Sequence, residues 1–119
     1  MGAMKDLPPV PADRADELFA RFRRTQESTA FGAFFDATSG ELFELALRLA
    51  HDASAADDAV QETYLAVLDL AERHDPRRPV RPWLLGILRN KVREGRRREV
   101  RVARREAGAS ASSAVRPWS

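Results

Sequence analysis

ELFELALRLAHDASAADDAVQETYLAVLDLAERHDPRRPVRPWLLGILRNKVREGRRR, residues 41–98, is the stretch whose spacing decides the fold. From Glu41 to His51, Leu42, Leu45, Ala46 and Leu49 recur at helical spacing. Phe43, Leu47 and Ala50 widen that stripe until the helix is apolar almost all round, the pattern of a central, buried element. Ser54 reads as the N-cap of the next helix. That helix runs to about His74, with Val60, Tyr64, Val67, Leu68 and Ala71 on its core face. Asp75 to Pro82 then holds three prolines and three arginines, a stiff turn with a strong positive field. A further helix starts near Pro82, where a first-turn proline is tolerated. It turns Leu84, Leu85, Leu88 and Val92 toward the core and fades beyond Arg98.

The flanks are less regular. Met1-Gly2-Ala3-Met4 reads as a tag remnant, and Leu7-Pro8-Pro9-Val10-Pro11 as an extended lead-in that cannot continue a helix. Asp13 looks like an N-cap, followed by Leu18, Phe19 and Phe22 at helical spacing. A short helix from near Ser28 carries Phe31, Phe34 and Phe35, and Thr38-Ser39-Gly40 reads as a break. From Ala107 onward Ala, Ser and Gly dominate, as in a linker. The division expected is a remnant and disordered lead-in over 1–12, a helical domain over 13–105, and a flexible linker over 106–119. With no strand alternation and no internal repeat, the fold expected is all-α, a compact bundle of four to five helices.

A net charge of only +2 conceals two opposed fields. Arg77 to Arg105 holds twelve basic residues against Glu94 and Glu99, whereas Asp36 to Asp75 holds ten acids against Arg48 and Arg73. A chain so divided suits two kinds of partner, one polyanionic and one basic. The absence of Cys excludes a disulfide scaffold and a thiolate metal site. Two His, at 51 and 74, argue against a His-based zinc site. No nucleophile motif or glycine-rich phosphate loop is present, and Asp57-Asp58 with Glu62 lacks the further ligand a metal site needs. The expectation is a non-enzymatic protein without cofactor or metal. No apolar run approaches the ~20 residues that span a bilayer, and the opening lacks the pattern of a secretory signal.

Folding leaves two faces unexplained. At ~100° per residue, Asp58, Gln61, Glu62 and Leu65 share one side of their helix, opposite Val60, Tyr64 and Val67. Acids and amides belong on a solvated face, but Leu65 at its centre has little to pack against. An apolar centre with a carboxylate rim suits a partner helix bearing Arg or Lys. On the last helix, Trp83, Gly86, Asn90, Arg93 and Arg97 fall opposite the leucines. Arginines neutralise phosphates, an aromatic ring receives an unstacked base, and an amide offers donor and acceptor to a base edge. Trp83 could equally fold back over the proline-rich loop as a lid on the core.

The stretch from Phe31 to Arg98 resembles region two of bacterial RNA polymerase sigma factors, above all the extracytoplasmic-function (ECF) group. The resemblance is carried by Asp57-Asp58, by Val60-Gln61-Glu62-Thr63-Tyr64, by the D-P-x-R-P-x-R-x-W loop from Asp75 to Trp83, and by Ile87-Leu88-Arg89-Asn90. Val80 departs from the aromatic more usual at its position, as Leu85 and Gly86 depart from larger or charged residues. The resemblance implies that Asp58, Gln61, Glu62 and Leu65 grip the clamp helices of the polymerase β′ subunit. It also implies that the loop and last helix melt the promoter minus-ten element, a non-template base entering a pocket to which Trp83 and Asn90 contribute. Arg78, Arg81 and Arg89 would hold the DNA together with Lys91, Arg93, Arg96 and Arg97. A bacterial, cytoplasmic location without membrane contact is implied as well. Two other readings stand beside this one: an interaction module masked by an anti-sigma factor, and a basic helical bundle binding nucleic acid nonspecifically. Nothing after Arg105 resembles a helix-turn-helix domain for the minus-35 element, so the sequence is expected to be one domain of a larger factor.

Overall fold

The computed structural model describes residues 12–115. Within them lie four α-helices, α1 (Ala12–Thr25), α2 (Ser28–Ala50), α3 (Ala53–Leu70) and α4 (Val80–Val115), with a 3-10 turn at Ala71–Arg73. The described residues contain no strand, and the fold is the all-α bundle expected. The lead-in over residues 1–11 lies outside the described part. Because α1 already begins at Ala12, Asp13 belongs to its first turn and does not precede it.

Two-residue connections join α1 to α2 and α2 to α3. Gln26, at φ 59°, closes α1, and its side-chain amide donates to the carbonyls of Phe22 and Arg23 at 3.4 and 3.2 Å. Those bonds satisfy carbonyls that a helix end leaves open, offsetting the cost of a left-handed conformation in a residue with a Cβ. His51 ends α2 in the same way, at φ 60°, with its N–H on the Leu47 carbonyl.

The expected break at Thr38-Ser39-Gly40 is absent, and α2 is one helix of 23 residues. Ala30, Phe34, Thr38, Leu42 and Ala46 are buried at every fourth position straight through it. Thr38 donates to the Phe34 carbonyl at 2.8 Å and accepts from the Tyr64 hydroxyl at 2.6 Å. The hydroxyl that suggested a turn thus serves the helix and ties it to α3. Gly40 is exposed, where it costs only about 1 kcal/mol relative to alanine. Packing outweighs that local preference.

The cap of α3 is Asp52, not Ser54. Asp52 has extended backbone, and its Oδ2 accepts from the Ala55 N–H at 3.0 Å. Sequence could not separate the two, since either is a good cap two residues apart. Asp52→Ala is therefore expected to destabilise the chain by about 1 kcal/mol in urea unfolding, with Ser54→Ala close to neutral. The reverse order would place the cap at Ser54.

The core runs through α1 (Ala15, Phe19, Phe22), α2, α3 (Ala56, Ala59, Val60, Thr63, Tyr64, Val67) and α4 (Val80, Leu84, Leu88, Val92). Aromatic rings knit its centre: Phe34 lies 5.1 Å from Phe19 and 6.3 Å from Tyr64. Two leucines depart from the expected core face, since Leu68 is exposed and Leu85 only half-buried. α4 starts at Val80, with Pro82 in its first turn, and continues to Val115, through much of the stretch whose composition suggested a linker. Alanine is a strong helix former and recurs through that stretch, so the composition is compatible with either state.

Candidate partner and nucleic-acid interfaces

The outward face of α3 has the composition expected of it. Asp58 and Gln61 are exposed, Glu62 is half-buried, and Leu65 is 63% exposed. Leu65 is one residue, ~100° around the helix, from buried Tyr64, so the register that fixes the core turns it outward. The apolar surface is larger than the sequence indicated. Leu68 is exposed one turn on, and Phe35 of α2 is partly exposed with its ring 4.6 Å from Tyr64. Periodicity placed Leu68 on the core face, but at its edge, and the structure leaves it exposed. Burial holds the Tyr64 phenol in its protonated form, pushing its pKa up to about 12.

Two residues of this face already have partners within the chain. Gln61 donates to Asp57 at 2.8 Å, and Glu62 accepts from Arg98 of α4 at 3.0 Å. Both pairs are exposed, so each is worth little to stability. They nonetheless fix where the acidic rim stands relative to Leu65. Among the described residues no group of three His or carboxylate side chains converges as a metal site.

The turn from His74 to Pro79 is pinned from several sides. Asp75 accepts from the Arg77 backbone N–H at 2.9 Å and from its guanidinium at 3.1 Å. These Arg77 bonds hold the Asp75 carboxyl below the usual carboxylate range. Arg78 lies 4.0 Å from the same carboxylate and is otherwise open to water. His74 is buried, its Nε2 3.4 Å from the Pro79 carbonyl and its ring 4.9 Å from Trp83.

Trp83 does not stand free in water beside Asn90. Its ring is half-buried, leaning on His74 and, at 5.6 Å, on Phe19 of α1. Of the two positions open to it in the sequence, the lid is the one adopted. Gly86, Asn90, Arg93 and Arg97 are exposed on the outer side of α4. Two basic residues expected with them are placed elsewhere. Arg81 is half-buried against Glu41 of α2, and Lys91 turns toward α3, 3.3 Å from Glu94.

Arg89 is exposed beside Glu41, Glu44 and Arg48 of α2. Beyond it Arg93, Arg96, Arg97, Arg101 and Arg104 frame one shallow surface around Val100. Arg101 and Arg104 were missed in the sequence because the helix was expected to fade after Arg98. The continuous helix puts them in line, so that the guanidiniums from Arg93 to Arg104 extend over about 16 Å of axis.

An exposed apolar patch with an acidic rim on one helix and a row of arginines on the next give the chain two unlike surfaces. The family model described as Sigma-70 region 2 matches residues 34–102. The chain belongs to that family. It is 39% identical over 72 residues to the ECF RNA polymerase sigma factor SigL of Mycobacterium tuberculosis, covering 60% of this chain and 41% of the relative. It is 34% identical over 87 residues to the RNA polymerase sigma factor NccH of Alcaligenes xylosoxydans xylosoxydans, covering 72% of this chain and 47% of the relative. The chain thus spans less than half the length of the curated relatives it matches. No solved structure gives a significant match. None of the described helices is long and apolar enough to cross a membrane.

Proposed function

We propose that the chain is the polymerase-docking and promoter-melting part of a transcription initiation factor, acting by binding and not by catalysis. The observation that carries this reading is Leu65, 63% exposed among Asp58, Gln61 and Glu62, where it serves no purpose in the fold. A basic helix of the β′ clamp would cover Leu65 and Leu68 and meet the acidic rim. An apolar patch of this kind is also one that a protein partner covers when polymerase does not, which supports an anti-sigma factor acting on the same face.

On the other side, the turn and the start of α4 would receive a non-template base of the melted minus-ten element. Flipping a base costs a few kcal/mol of lost stacking, so the pocket and the phosphate contacts must supply that energy. Trp83 would wall the pocket with the part of its ring that His74 and Phe19 leave uncovered. Asn90 would meet the base edge, and the arginines would hold phosphates. Asn90→Ala is expected to weaken binding of a single-stranded minus-ten oligonucleotide by ~1–3 kcal/mol, read by fluorescence anisotropy. An equal loss on a scrambled oligonucleotide would show that Asn90 reads no sequence.

A further inference from the structure

The helix that carries Trp83 and Asn90 cannot cap itself. Pro79 stands immediately before Val80 and has no side-chain acceptor, and Pro82 in the first turn has no N–H to offer. The acceptor comes from 64 residues away: Oδ1 of Asp16, on α1, accepts the Val80 N–H at 2.7 Å in a part-buried setting. A carboxylate there also meets the positive end of a long helix.

Asp16 is one of three residues on a single face of α1 that reach this region. One turn on, the Phe19 ring lies 5.6 Å from both Trp83 and His74. A turn further, Arg23 donates to the Glu72 carbonyl at 3.4 Å, ahead of the turn. Arg23 thus touches the chain before the turn, Phe19 the aromatic pair across it, and Asp16 the first residue after it. No other described hydrogen bond from α1 reaches α4.

We infer that Asp16 is a positioning residue for strand capture. By fixing the first peptide of α4 it sets the direction in which that helix leaves the turn, and with it the placement of Trp83 against His74. Asp16 lies outside the matched region, 34–102. The inference rests on the proposed DNA role of the turn, but the placement of Trp83 can be measured without DNA.

The test uses the full 119-residue chain with Trp118→Phe, so that emission reports Trp83 alone. Asp16→Ala should increase acrylamide quenching of Trp83 and weaken binding of the minus-ten single strand roughly fivefold, the scale of one lost cap. Asp16→Asn keeps an acceptor and should restore both readouts. Capture of the β′ clamp helices should be unchanged in either variant. Unchanged quenching in Asp16→Ala would overturn the inference, as would loss of quenching contrast, strand binding and clamp capture together with helicity, which would mark Asp16 as merely structural. Should the parent chain bind no strand while quenching still responds to Asp16→Ala and not to Asp16→Asn, the DNA reading would fall and the control of Trp83 would stand.

Discussion

Leu65→Asp is expected to weaken capture of the β′ clamp helices by roughly 30-fold or more, the scale of a central interface residue. Two effects add. The apolar centre is lost, and a carboxylate is placed where the partner would bury it without a counter-charge. The folded chain should not register the change, because the side chain is already 63% exposed and aspartate at the middle of a helix costs only a few tenths of a kcal/mol. Circular dichroism and the thermal midpoint should therefore stay near those of the parent while pull-down fails. Leu68→Asp should have a smaller effect in the same direction. Pull-down that survives Leu65→Asp would remove α3 as the docking face.

The affinity for a single strand should fall roughly 300-fold between about 50 and 200 mM salt if six arginines each hold a phosphate. The six are Arg89, Arg93, Arg96, Arg97, Arg101 and Arg104, all exposed on α4. The estimate follows from release of condensed counterions, in which each single-strand contact adds about 0.7 to the logarithmic slope. Replacing Arg101 and Arg104 by alanine should therefore reduce that slope by about 1.4. A flat titration would exclude phosphate binding by this helix. An unchanged slope in the double variant would confine the contacts to its first half.

The helices and the two faces were legible in the sequence for one reason. Apolar spacing is a direct record of which side of a helix is inside, and Leu65 is informative because it breaks it. What stayed hidden depends on contacts between segments distant in sequence. Thr38 reads as a turn former until Tyr64 is placed beside it, and its bonds then account for an unbroken α2. Leu68 lies at the margin of a stripe, and tertiary packing leaves it outside the core. Trp83 faces water on a helical wheel, yet α1 brings Phe19 against it. Arg81 groups with the outer arginines until Glu41, 40 residues away, is placed beside it. Asp16 carried no local signal, since the peptide it serves is 64 residues away.

The bond from Arg98 to Glu62 bears on how the two surfaces answer to ionic conditions. An incoming guanidinium at Glu62 does not find a bare anion; it must evict one already in place, and the exchange of like for like yields little net electrostatic energy. Adhesion to the clamp should then lean on dehydration of leucine more than on Glu62 and respond less to electrolyte than the grip on nucleic acid, which fades steeply. Ionic strength alone would separate the two halves of the task.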